Sequence, residues 1–185
     1  QVILIVAIIL PYWTNFLVRT YAWLVLLNNE GIINKFLRSI GLIDKPIEML
    51  YTPAAVIVGM TYLYLPLMIL PIYAALEKVD KNLTEAAFDL GSSAWKSLRT
   101  ISIPLAMPGI LIGFIFVFVP SLGNFVVPEL LGGGKTVMIG NLVRDQFLKA
   151  RDWPFGATFA LVLTLILVVL ISIQSYVSKR VNVNA

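Results

Sequence analysis

Glu129 stands at the edge of an apolar run interrupted by Pro120, Gly123 and Asn124, and Phe125 lies one helical turn before it. Tyr12, Trp13 and Asn15 sit beside Pro11 in a second interrupted run. A carboxylate next to aromatic faces is chemistry that can hold a cationic group: the acid takes the charge, and each cation–π contact adds roughly 0.5–2 kcal/mol. These five residues are the candidates for a solute path, Glu129 first. Tyr12 and Trp13 could instead be interfacial or core aromatics, and Glu129 a solvated loop acid. Arg19 pulls the other way, because an Arg within a span costs about 2.5–3.5 kcal/mol on insertion scales. It is expected to snorkel to the outer interface, or to pair with a backbone carbonyl or an acid on a neighbouring subunit. If it lined the path, an anionic or zwitterionic solute would fit better.

Most other chemistry is excluded. The chain has no His and no Cys, which removes disulfides, Cys/His zinc sites, Cys nucleophiles and any Ser/His dyad. The Asp residues, at 44, 80, 89, 145 and 152, all fall outside the apolar runs, so no intramembrane aspartyl pair is possible. No GxxxxGK[ST] loop is present, and nucleotide energy would have to come from another subunit. The chain therefore reads as a non-enzyme that binds no metal or cofactor of its own. A formal charge of +4 without a dense Lys/Arg cluster points to lipid headgroups and not to nucleic acid.

The elements that must position these residues are membrane helices. With 59% hydrophobic residues, 13% charged and a mean hydropathy of +0.89, the composition is that of a membrane chain. Four candidate spans are read at about 2–27, 54–76, 108–127 and 157–177. Each approaches the ~20 residues needed to cross the hydrocarbon layer. The first three carry Pro or Gly, whose freed backbone groups need partners on other helices or a water-lined path, whereas the last carries neither. Gly109 and Gly113 form a GxxxG pair that permits close helix approach. Central stretches without Asp, Glu or Lys argue against an ion-coupled secondary transporter, which stays as the less favoured alternative. The chain opens Gln1-Val2-Ile3 with no charged n-region, and reads as the interior of a longer protein and not as a signal peptide.

Polar segments separate the spans. In 28–53, Ile32, Ile33, Phe36, Leu37 and Ile40 are spaced as one helical face, Asn34, Lys35, Arg38 and Ser39 as the other, and Gly41 is a stop signal. In 129–154, Ile139, Leu142, Val143 and Phe147 oppose Asn141, Arg144, Asp145 and Lys149 after a flexible Gly132-Gly133-Gly134. Both read as packing elements near the interface. Loop charge does not orient the chain, since Lys78, Lys81, Lys96, Arg99, Lys179 and Arg180 on one side are balanced by Lys35, Arg38, Lys45, Lys135, Arg144, Lys149 and Arg151 on the other. Only the basic tail Ser178-Lys179-Arg180 leans toward its own side being cytoplasmic.

The middle polar segment, 77–104, holds the densest pattern. Asp80, Asn82 and Thr84 are plausible N-caps, Glu85 is expected in the first turn of a short helix, and Gly91 ends it. Ser92 and Ser93 can cap a second helix with Ala94, Trp95 and Leu98 as its apolar stripe, before Pro104 and Pro108 break the chain. The small Ala86-Ala87 pair among Leu83, Phe88 and Leu90 would let a partner approach the backbone, with Glu85 free to bond an Arg. The alternative is an amphipathic loop folded back on its own helix ends.

Glu85-Ala86-Ala87, three residues, Gly91, nine residues, Ile101, one residue, Ile103, Pro104 resembles the EAA loop of binding-protein-dependent ABC importer permeases, in which Leu is usual where Ile103 stands. The resemblance implies that this loop is cytoplasmic and docks as a coupling helix on an ATP-hydrolysing subunit, which holds ATP and Mg. Glu85, Ala86, Ala87, Gly91, Ile101, Ile103 and Pro104 would carry the coupling. The implied fold is the all-α polytopic transmembrane domain of a type I ABC importer in a bacterial cytoplasmic (inner) membrane, with four of a usual six spans present. Implied partners are ABC ATPase subunits, a second permease subunit, an extracytoplasmic solute-binding protein and membrane lipid. The runs 11–23, 128–133 and 151–156 are similar to the spermidine/putrescine branch, which implies a polyamine solute. Another small solute, such as an amino acid, an organic or inorganic anion, or iron, is the alternative.

Overall fold

A computed structural model of the chain describes residues 2–183, and its elements are helical throughout. The side chains of Ser178, Lys179 and Arg180, used above for orientation, lie outside the described residues. Two units emerge, one formed by residues 1–66 with 120–163 and the other by 67–119 with 164–185.

In the first unit, α1 (Val2–Ile9) runs into a 3₁₀ turn (Leu10–Trp13) and then α2 (Phe16–Leu27). Pro11 lies inside that turn, and the Asn15 side chain accepts from Leu17 N–H at 2.8 Å to start α2 afresh. Residues 2–27 are thus two helices with a break between them. The core joins Leu27, Ala55, Val56, Leu63, Val127 and Leu131, the last two fully buried. Gly59 lies against this core, and a Cβ there would meet Leu131 Cδ1, so the Leu131 side chain would have to shift.

The helix α3 (Ile32–Ser39) ends in a Schellman motif. Gly41 has φ of 71°, Leu42 N–H bonds Leu37 O at 3.0 Å and Gly41 N–H bonds Arg38 O at 3.1 Å. Its two faces differ from the periodicity reading. Asn34, placed with the polar residues, is completely buried, while Ile32, Phe36 and Ile40 are exposed. The reason is backbone satisfaction: Asn34 donates to Asn28 O at 3.2 Å and Ile47 O at 3.0 Å, and accepts from Ile47 N–H at 2.9 Å. Ile32, Phe36 and Ile40 are left outward, as suits a bilayer interface, while Ile33 packs against the core.

Three helices are long and apolar enough to cross a membrane among the described residues: α4 (Pro53–Glu77), the stretch Ala94–Gly123, and α10 (Trp153–Val183) over Trp153–Ser175. Within the second unit, α4 and α7 (Ile103–Gly123) approach closely at the GxxxG pair. A Cβ on Gly109 would stand 2.5 Å from Pro71 O and 2.6 Å from Ala75 Cβ, and one on Gly113 2.9 Å from Met68 Sδ.

Pro104 and Pro108 do not break the chain as the sequence suggested. The helix α6 (Ala94–Ser97) continues through a π-helical turn (Leu98–Ser102) into α7 without interruption. Ile103 N–H bonds Leu98 O, five residues back, so the ladder is already shifted where Pro104 lacks its donor. The same unit holds α5 (Lys81–Asp89). Its N-cap is Asp80, which accepts from Asn82 N–H at 2.9 Å, so Glu85 falls in the second turn and not the first.

Candidate functional site

The nominated solute-path residues gather in two clusters, both within the first unit. Around the 3₁₀ turn, the Arg19 guanidinium lies over the Tyr12 ring, 4.9 Å from its centroid, and Asn15 is spent as a helix cap. Trp13 is 85% exposed. Arg19 thus finds an aromatic face within its own segment, a partner that periodicity alone did not suggest.

The second cluster is built on the break after α7. Asn124 N–H turns to Ser121 O at 3.3 Å, and the Pro120 carbonyl is taken by the Tyr64 hydroxyl at 3.2 Å. Asn124 Nδ2 in turn donates to Tyr64 Oη at 2.8 Å, and its Oδ1 accepts from Val127 N–H at 3.1 Å. A buried Asn and a Tyr therefore close the broken ladder and restart the chain as α8 (Val126–Gly132). Gly133 and Gly134, read as flexible, are instead an ordered stop: φ is 58° and 75°, and Tyr51 N–H bonds the Leu131 carbonyl at 2.8 Å.

On this short helix Phe125 and Glu129 stand one turn apart, as the sequence indicated, but Glu129 is not solitary. Arg144 of α9 (Ile139–Asp145) bonds Glu129 Oε2 at 2.9 Å, and its guanidinium lies 5.3 Å from the Phe125 ring centroid. Asn141, 4% exposed, donates to Phe125 O at 3.0 Å and more weakly to Glu129 Oε2 at 3.4 Å. Asp145 Oδ1 accepts from Arg144 Nε at 2.9 Å and Nη2 at 2.6 Å, and its Oδ2 accepts from Lys149 Nζ at 2.9 Å. Hydrogen bonds from Lys149 first and Arg144 second hold the Asp145 carboxyl below its ordinary range, so this anchor stays charged at neutral pH. Sequence reading placed Asn141, Arg144 and Asp145 on a polar packing face and missed their role. The available signal was an Arg–Asp dipeptide one loop from the favoured carboxylate.

The coupling candidates lie in the second unit. Gly91 closes α5 in a Schellman motif with φ of 77°, Ser92 N–H bonding Ala87 O and Gly91 N–H bonding Phe88 O, each at 2.9 Å. Ser93 caps the next helix by accepting from Lys96 N–H at 3.3 Å. Glu85, Ala86 and Gly91 are exposed and Ala87 is half-buried; Ile101, Ile103 and Pro104 belong to the continuous helix that follows. Leu83 lines a cleft with residues of α4 and α7, and Leu90 and Trp95 are 90% and 71% exposed.

A helical chain with three helices long and apolar enough to cross a membrane among the described residues is the class that these features define. The chain belongs to the family described as binding-protein-dependent transport system inner membrane component, whose pattern matches residues 2–183. It is 44% identical over 180 residues to the spermidine/putrescine transport system permease protein PotB of Salmonella typhimurium (strain SL1344), which covers 97% of this chain and 63% of that protein. Against PotB of Escherichia coli (strain K12) the identity is 43%, covering 97% and 66%. A more distant relative, the molybdenum transport system permease protein ModB of Haemophilus influenzae (strain ATCC 51907 / DSM 11121 / KW20 / Rd), is 30% identical over 169 residues, with 88% and 70% covered. The chain thus spans just under two thirds of the PotB proteins' length. Among solved structures, a bacterial alginate ABC transporter in complex with an alginate-pentasaccharide-bound periplasmic protein shares the fold, with a TM-score of 0.76 at 17% identity over 96% of this chain and 65% of that one. The fold is that of a type I ABC importer permease.

Proposed function

We propose that this chain forms part of the membrane pathway of an ATP-driven importer for polyamines of the spermidine/putrescine kind. The observation that carries this reading is the 44% identity, across nearly the whole chain, to a permease named for those solutes. The Phe125–Glu129 pair supports it chemically, as a carboxylate and an aromatic face already holding a cationic group. In this reading, exposed Leu90 and Trp95 with Glu85, Ala86, Ala87 and Gly91 dock on a separate ATPase that binds ATP and Mg. A second permease subunit completes the pathway, and an extracytoplasmic binding protein delivers the solute. The 30% identity to a molybdenum permease makes an oxyanion the rival cargo. Uptake by the complete transporter in a transport-deficient strain decides between them: spermidine and putrescine should compete with each other for uptake, and molybdate should not. Competition by molybdate without competition by putrescine would remove the polyamine assignment.

A further inference from the structure

The Arg144 guanidinium occupies both features a cationic solute would use, bonding Glu129 Oε2 at 2.9 Å and facing the Phe125 ring at 5.3 Å. Three features set this apart from an ion pair that merely ties two helices. Arg144 does not depend on Glu129, because Asp145 accepts from both its Nε and Nη2, and departure from Glu129 leaves it still paired. Asp145 is itself backed by Lys149 on its other oxygen. The exposures are also unequal: the Glu129 side chain is 43% exposed and that of Arg144 15%, so the carboxylate is the more open of the two to solvent. Asn141 bonds both Phe125 O and Glu129 Oε2, and keeps the acid in place whichever cation it holds.

We propose that Arg144 is a specificity-setting residue, a tethered cation that occupies the Glu129–Phe125 pair in the unloaded state and yields it to an ammonium group of the solute. This rests on the polyamine reading above. The exchange substitutes one cation for another, so Glu129 is never left charged and alone, and Arg144 withdraws onto Asp145. A neutral or anionic solute has nothing with which to displace it, and the resident cation therefore filters by charge as well as filling the site.

The test is equilibrium binding of radiolabelled spermidine to the complete permease–ATPase complex in nanodiscs, without the binding protein, whose own affinity would otherwise mask the step. Removing a resident competitor raises affinity, whereas damaging a structural ion pair lowers it or leaves it unchanged, so the sign decides. Arg144→Gln should bind spermidine about three- to tenfold more tightly than the unaltered complex, the factor expected when a site is freed from a state that blocks it most of the time. Arg144→Lys should gain less, because its ammonium remains a competitor without the planar fork. Unchanged or weaker binding by Arg144→Gln, in a complex of unaltered melting temperature, overturns the proposal. If Arg144→Gln does not assemble, Arg144→Lys is read alone, and absence of any gain overturns it equally. Glu129→Gln separates the underlying reading: loss of binding there with no gain in Arg144→Gln rejects the resident cation but keeps the cation site, while normal binding by Glu129→Gln rejects both.

Discussion

Asn34 shows what a single side chain contributes when it sits against the rule of its own helix. Periodicity assigns it to the polar face, yet it is completely buried and makes three hydrogen bonds to backbone groups of Asn28 and Ile47. Nothing in the sequence announces this, because the partners lie 6 and 13 residues away and are main-chain groups of no distinctive type. Asn34→Ala should strand the Ile47 N–H, at about 1–3 kcal/mol for a buried group left unsatisfied, while the Asn28 and Ile47 carbonyls keep the N–H groups of Gly31 and Met49. The expected outcome is a clear fall in the melting temperature of the detergent-solubilised protein, and an unchanged value would refute the structural role. At the candidate site the same contrast holds. Phe125 and Glu129 are legible because an acid at a broken apolar run is rare, whereas Arg144 and Asn141 look in sequence like any solvated helix face.

The elements were legible where punctuation is strong. Gly41 and Gly91 both end helices in the left-handed conformation at φ of 71° and 77°, as stop glycines after amphipathic runs should. Pro104 and Pro108 were the misleading signals, since a π-helical turn carries the helix past them, and such a turn has no sequence mark of its own. At Gly91 a Cβ would meet nothing within 4 Å, so any penalty there is conformational, on the order of 1–2 kcal/mol for an L-residue. Gly91→Val should therefore insert normally but lose the link between ATP hydrolysis and uptake, while Gly91→Asn, whose side chain tolerates positive φ, should retain most of it. Paired ATPase and uptake assays on reconstituted transporter check this, and equal coupling in both variants would show that the turn geometry is irrelevant.

For the whole molecule, composition and the EAA pattern sufficed to indicate a helical membrane permease, and 44% identity to PotB agrees with the branch suggested by residues 11–23, 128–133 and 151–156. How the first segment is laid out was only partly readable: Pro11 announced an interruption, but not that Asn15 would be consumed in restarting the chain. Assembly predictions belong at this scale. Leu90, 90% exposed at the end of α5, is a side chain that water alone does not favour, and a docked ATPase would cover it. Leu90→Asp should lower co-purification of the ATPase subunit about tenfold, equivalent to ~1.4 kcal/mol, with unaltered amounts of permease in the membrane. Undiminished co-purification would place the ATPase elsewhere. The uninterrupted run from Ala94 to Gly123 adds a mechanical consequence. A helix of that length reaches about 45 Å, and it stays continuous past Pro104 because the π-helical turn has already shifted its hydrogen-bond ladder. In the docking reading proposed above, a displacement imposed near Trp95 would be carried along one continuous helix, with the π-helical turn and the prolines after it as the places where that helix would bend.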